Sequence, residues 1–309
     1  MTRPLSTRVA VALAAALIVL LLAEMGFRLF EEDEWYERVG SPHVVEDPFM
    51  PRDLLEDHHE KTGHRLLFFG DSFTYGSGVQ KSETFVELVS GNRGVRPSLD
   101  CFNAGIPGSN PVQWERLSGD LLDALLPDAV IVVFFMRDGA DDLYASNLID
   151  RVRGQMVALQ QDSFLFRTSA IWRHVTTDRL QRQFSREHLG LLNDAYVGGP
   201  RDVAEWKYQR AALGKIFSAC RAREIQIGFV LFPVLFQLDD HHPLHEAMEE
   251  VEGFVSSQDV PFLSLFPAFH GMDPASLWVS PQDSHPNPAA HRIAADVILD
   301  FAKEELIGH

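Results

Sequence analysis

Four short runs dominated by apolar, β-branched or aromatic residues punctuate this chain: Arg65–Gly70 (RLLFFG), Ala129–Phe135 (AVIVVFF), Gln226–Phe232 (QIGFVLF) and Pro261–Leu265 (PFLSL). None alternates apolar with polar, so each reads as a strand buried on both faces. Leu99–Ala104 (LDCFNA) is a weaker fifth candidate. Between them lie stretches of helical composition, Thr84–Leu88, Pro111–Leu126, Glu205–Arg223, His245–Ser256 and Ala289–Glu305. Strand alternating with helix predicts an α/β fold, a mostly parallel central sheet with helices on both faces. In such sheets ligands bind beyond the carboxyl ends of the strands.

The alternation breaks at residues 140–204, a long stretch of helix and loop composition that would form either a cap over the strand ends or extra helices at the periphery. Residues 31–64 mix charge, proline and histidine without a period and read as a juxtamembrane linker and lead-in, leaving 65–309 as the main domain. Charge narrows the function classes. The 27 basic and 44 acidic residues leave a net charge of −17, which repels nucleic acid and anionic lipid surfaces. Nucleic-acid partners are therefore disfavoured.

The first 30 residues point to a membrane. Arg3 and Arg8 precede an unbroken apolar run, Val9 to Ala23, and the acidic cluster Glu31, Glu32, Asp33 and Glu34 follows it. A basic flank before a greasy stretch holds the N-terminus inside and sends the remainder out. The run is short of the roughly 20 residues of a comfortable span, and no small-x-small cleavage site follows it. An uncleaved signal anchor is favoured over a cleaved signal peptide or a buried helix, with the catalytic domain extracytoplasmic.

The first apolar run ends in Gly70-Asp71-Ser72, with Gly76 and Gly78 close behind. A serine just past a buried strand and flanked by glycines sits where the backbone turns sharply and can offer amides to an oxyanion. Serine needs a base. Asp283 and His285 lie two apart in a proline-punctuated segment before the last helix, and at that spacing in extended chain both side chains point the same way. The carboxylate can then orient the imidazole toward Ser72, so all three roles of a catalytic triad are supplied.

Taken together these residues resemble the SGNH/GDSL hydrolase family, in particular bacterial members behind an N-terminal membrane segment. Gly70-Asp71-Ser72 matches its first motif, Gly105 in Asn103-Ala104-Gly105-Ile106-Pro107-Gly108 its second, and Asp283 and His285 with Pro286 and Asn287 its last. The resemblance spans most of residues 65–305 and implies a three-layer α/β/α fold of about five strands. It also implies ester hydrolysis through an acyl-serine, with an oxyanion hole from the amides of Ser72 and Gly105 and an asparagine side chain. At the third motif this chain has Met136-Arg137-Asp138-Gly139, so Arg137 takes the asparagine position. It would serve as an oxyanion or substrate donor, or as a structural residue paired with Asp138. The Asp-x-His spacing is one residue shorter than the commonest form.

The resemblance implies a small acyl ester or an acylated glycan as substrate, and no metal or organic cofactor. An O-acyltransferase acting on envelope or secreted polysaccharide would use the same triad, and a non-catalytic glycan-binding module would keep the same fold. Other candidates are weaker. His241, His242 and His245 lack a carboxylate or cysteine at ligand spacing and read as a solvated surface cluster. His291 reads as a packing or capping residue and Asn110 as a helix N-cap. Cys101 and Cys220 read as two thiols, with a disulfide left open.

Overall fold

The structure, a computed structural model, describes residues 5–29, 63–91, 98–140, 142–198, 205–280 and 283–307. They form seven strands: β1 (His64–Gly70), β2 (Leu99–Gly105), β3 (Ala129–Phe135), β4 (Gln226–Phe232), β5 (Phe262–Ser264), β6 (Trp278–Ser280) and β7 (Asp283–Pro286). The α-helices are α1 (Leu5–Leu29), α2 (Ser72–Tyr75), α3 (Phe85–Ser90), α4 (Pro111–Leu125), α5 (Asp142–Asp162), α6 (Phe164–Thr168), α7 (Ala170–Val197), α8 (Glu205–Arg221), α9 (His245–Ser257), α10 (Phe266–Phe269) and α11 (Pro288–Glu305). The chain divides into two compact units, residues 1–44 with 142–188, and residues 45–141 with 189–309.

The larger unit is built on a five-stranded sheet in the order β2-β1-β3-β4-β5, every neighbouring pair parallel. The apolar runs became strands because each supplies both faces. Leu67, Phe69, Val130, Val132, Phe229 and Leu231 enter one core, whereas Leu66, Phe68, Ile131, Val133, Val230 and Phe232 enter the other. The first core is closed by α4, α8 and α9, the second by α3 and α11, giving three layers. Each fully buried Leu, Val or Phe contributes about 1.5–3 kcal/mol. Because β1 lies between β2 and β3, consecutive connections leave it in opposite directions, which opens a crevice at the carboxyl ends of these strands.

The stretch 140–204, expected as a helical insertion, contributes α5, α6 and most of α7 to the unit that contains α1. The segment that carries Asp283 and His285, expected to be extended, is a short antiparallel hairpin, β6 with β7. One expectation changes. His242 is no solvated residue: it is 4% exposed, its Nε2 faces the Val234 carbonyl at 3.2 Å and its Nδ1 accepts from the Leu244 amide at 3.2 Å. Burial pushes its imidazole below the usual histidine range.

His241 and His245 are exposed, as read. Asn110 caps α4, accepting from the Gln113 amide at 3.4 Å, and the buried His291 accepts from the Phe85 amide at 3.2 Å. Cys101 and Cys220 are both free thiols. Among the described residues no helix is long and apolar enough to cross a membrane. Of the anchor expected at Val9–Ala23, the side chains of residues 9–15 lie outside the described residues, as does the linker up to residue 62.

Candidate active site

The site begins where β1 stops. Gly70 is required there, because a Cβ would come within 2.0 Å of Thr74 Oγ1 and 2.8 Å of the Val133 carbonyl oxygen. Its absence lets the chain turn directly from strand to helix. Asp71 caps the short α2 by accepting from the Phe73 amide at 2.8 Å, and Ser72 is the first helical residue. The Ser72 amide therefore has no intrahelical acceptor and stays free for an incoming oxygen. Ser72 itself is 7% exposed at the carboxyl edge of the sheet.

The hairpin delivers the other two residues. His285 Nε2 lies 3.0 Å from Ser72 Oγ, and His285 Nδ1 lies 2.6 Å from Asp283 Oδ1. The same carboxylate oxygen accepts from the His285 amide at 3.1 Å, so Asp283 grips both ring and backbone. With Nδ1–H donated to Asp283, Nε2 is the lone-pair nitrogen turned to the serine. The hairpin is pinned from outside: Trp278 Nε1 donates to the Leu235 carbonyl at 2.7 Å, and Asn287 Nδ2 donates to the carbonyls of Ser276 and Trp278. Phe73 supports the imidazole from within, its ring 5.5 Å from that of His285 and stacked at 3.8 Å on Phe135.

A second carboxylate also reaches the serine. Asp71 Oδ2 is 3.2 Å from Ser72 Oγ, and Asp71 is completely buried. Burial raises its carboxyl above the usual carboxylate range, while the Arg137 guanidinium foremost, and the Phe73 amide after it, act in the opposite direction. Arg137 approaches Asp71 Oδ2 at 3.7 Å and is 31% exposed. Its neighbour Asp138 turns Oδ2 back to accept from the Phe135 amide at 2.9 Å.

Arg137 thus rides on a 3-10 turn, Met136–Gly139, directly after β3. Tyr196 fastens that turn. Its hydroxyl donates to the Met136 carbonyl and accepts from the Gly139 amide at 3.1 Å. Nothing in the sequence pattern marked Tyr196, which lies 57 residues from Gly139.

Gly105 departs from the role expected of it. Its amide is consumed by Asn103 Oδ1 at 2.9 Å, and Asn103 Nδ2 donates onward to the Thr74 carbonyl at 2.7 Å. The glycine is needed for close approach instead, since a Cβ would meet the Tyr75 nitrogen at 2.3 Å. The amide that is free lies three residues on, at Gly108, which is exposed, has φ +75° and donates to nothing among the described residues. Ser109 holds this turn against the end of β1. Its hydroxyl donates to the Ile106 carbonyl at 2.7 Å, lies 3.4 Å from the Gly70 carbonyl and accepts from buried Trp114 Nε1 at 2.6 Å.

A parallel three-layer sheet with a serine, a histidine and a carboxylate assembled at its carboxyl edge defines the class of SGNH-type ester hydrolases. The chain belongs to the GDSL-like lipase/acylhydrolase family, whose model matches residues 68–293. Among solved structures it is similar to TesA, with a TM-score of 0.48 and 14% identity over 79% of this chain and 100% of that one. It is similar also to the psychrotrophic esterase EstA from Pseudoalteromonas sp. (TM-score 0.46, 16% identity, 79% and 100% covered). A third is the acetylxylan esterase Axe2 from Geobacillus stearothermophilus (TM-score 0.49, 18% identity, 80% and 98% covered). No curated protein matches the sequence significantly.

Proposed function

We propose that the ester hydrolysis proceeds through an acyl-serine on Ser72, with His285 as general base and then general acid and Asp283 as its orienting carboxylate. The observation that carries this reading is the continuous relay from Asp283 Oδ1 to His285 Nδ1 at 2.6 Å and from His285 Nε2 to Ser72 Oγ at 3.0 Å. His285 takes the hydroxyl proton as Ser72 Oγ attacks the ester carbonyl. The oxyanion is held by the amides of Ser72 and Gly108, and the leaving alcohol receives the proton from His285. Water, activated by the same imidazole, then releases the acid. Arg137 holds the charge of Asp71 beside the reacting oxygen.

The finer reading is a substrate of small acyl groups, acetyl among them, on envelope or secreted glycans, with the enzyme held outside the cytoplasm by its N-terminal segment. Its support is the basic flank at Arg3 and Arg8 before the apolar run, a run that falls within the 25-residue helix α1.

The test uses the full chain in detergent with a serine-directed fluorophosphonate. Wild type labels, whereas Ser72→Ala does not and His285→Ala labels far more slowly. A folded wild type that neither labels nor cleaves simple acetyl esters overturns the acyl-serine mechanism. Release of acetate from an acetylated polysaccharide tests the substrate class, and diversion of the acetyl group to an added glycan acceptor would reassign the enzyme as a transferase.

A further inference from the structure

The smaller unit contains a built junction that the hydrolase chemistry does not use. Glu24, the one acidic residue of α1, serves as a cap for a different helix. Its carboxylate accepts from the Ala170 amide at 2.6 Å, the Ile171 amide at 3.2 Å and the Ser169 hydroxyl at 2.9 Å, which are the start of α7. Arg28, one turn further along α1, donates to Glu24 at 3.0 Å and to the Thr168 carbonyl at the end of α6 at 2.6 Å. One helix end therefore satisfies orphan donors of α7 and an orphan acceptor of α6.

Around this polar clamp the surface is apolar. Leu20 and Leu21 of α1, Leu165 of α6 and Ile171 and Trp172 of α7 line an open cleft of about 370 Å³. Phe164, Leu165 and Trp172 are 68%, 51% and 45% exposed, with Val175 at 52%. Large aromatic side chains are rarely left so open on a helix pair whose own contacts are complete. The charge around them is the reverse of the chain's. Residues 163–188 contain Arg167, Arg173, Arg179, Arg182 and Arg186 against Asp178 and Glu187, a balance of 5 − 2 = +3 in a protein of net charge −17. Arg28 of α1 is balanced by Glu24, so that helix end leaves the sum unchanged.

We propose that the α6–α7 junction, clamped to the end of α1 by Glu24 and Arg28, is a foot that seats on the headgroup and upper acyl region of an anionic lipid bilayer. The charge complementarity selects this occupant: arginine beside exposed Trp, Phe and Leu is the composition of a membrane interface, the aromatics lying at headgroup depth and the guanidiniums on lipid phosphates. Phe164, Leu165 and Trp172 enter the interface alongside the leucines of α1. The inference rests on the membrane anchoring proposed above, to which it adds a second, peripheral contact.

The experiment reconstitutes the full chain into phosphatidylcholine vesicles, with and without phosphatidylglycerol, whose acyl chains carry bromine as a contact quencher of tryptophan. Wild type and Trp172→Phe are compared, so that the difference reports Trp172 alone. Expected is co-flotation of both with vesicles and a bromine-quenchable component present in wild type and lost in Trp172→Phe. That component grows with the phosphatidylglycerol fraction and loses this dependence in Arg167→Gln. Equal ester turnover and circular dichroism show that the variants are folded. Co-flotation with no quenchable Trp172 component overturns the foot and leaves the anchor standing. Failure of the folded wild type to float overturns both. Cross-linking into a dimer in which Trp172 is shielded from lipid assigns the surface to a second copy and overturns the foot.

Discussion

Arg137→Met removes the guanidinium that faces a fully buried carboxylate, and its cost can be worked from the geometry. At the 3.7 Å separation from Asp71, an effective dielectric of about 20 gives a gross attraction of about 4 kcal/mol. Arg137 is 31% exposed, so water already screens part of it, and the net loss is about 1–3 kcal/mol. The loss depends on pH. Burial raises the Asp71 carboxyl and Arg137 opposes the rise, so removing the guanidinium lifts it further. A group whose folded pKa is raised contributes stability below its unfolded pKa and loses it as pH rises through the folded value. The variant therefore falls away from wild type as pH rises and approaches it as Asp71 protonates in acid. Thermal unfolding followed by near-UV circular dichroism should show a Tm deficit of roughly 2–6 °C at pH 8, narrowing at pH 5. Arg137→Lys, which keeps the charge, should recover most of the Tm and of the turnover of an acetyl ester. An equal deficit at both pH values would refute the assignment of Arg137 to Asp71.

Asp283→Asn keeps the shape of the hairpin but removes the anion that fixes the His285 tautomer. Steady-state kinetics should show kcat lower by on the order of 10³–10⁴ with KM little changed. Gly105→Ala forces a Cβ to within 2.3 Å of the Tyr75 nitrogen, and urea unfolding should report a loss of about 3 kcal/mol or more. Gly108→Ala meets open space and only the strain of φ +75°, so it should cost about 1 kcal/mol. Tyr196→Phe strips the Met136 carbonyl and the Gly139 amide of their partner. A destabilisation of about 1–3 kcal/mol follows, with turnover falling as the Arg137 turn loosens.

The sheet was legible because burial on both faces writes itself as unbroken apolar runs. β3 and β4 keep the bounds read from composition, and β1 gains only His64 at its start. That Ser72, Asp283 and His285 come together was legible because Ser72 follows a buried strand between glycines and the Asp283–His285 pair precedes a helix start. What escaped has a common cause, which is that it depends on pairings across sequence distance. The hairpin β6–β7 is too short, at 3 and 4 residues, to carry a period. Arg137 faces Asp71, 66 residues away, while its neighbour Asp138 turns Oδ2 to the Phe135 amide. Gly105 and Gly108 are the same residue type three apart, and only the side chain of Asn103 decides which amide is free. The 140–204 stretch has helical composition throughout, and composition does not say which unit a helix joins.

The arrangement around Ser72 poses one chemical problem and contains its answer. A serine hydroxyl has a single proton and here has two acceptors, His285 Nε2 at 3.0 Å and Asp71 Oδ2 at 3.2 Å. A hydroxyl hydrogen bond directed at Asp71 would turn the proton away from His285, the base placed to pass it to the leaving group. Two features favour the imidazole. Asp283 stabilises the imidazolium that forms on that side, and Arg137 draws on the same Asp71 oxygen that faces the hydroxyl, weakening it as an acceptor. When the oxyanion develops, the Asp71 charge stands close to it and would oppose it in a buried setting unless a cation stood on the far side. Arg137 supplies that cation. An asparagine at this position could donate a hydrogen bond but could not balance the charge, so the arginine and the buried aspartate are best understood as one unit, each tolerable beside the nucleophile because of the other.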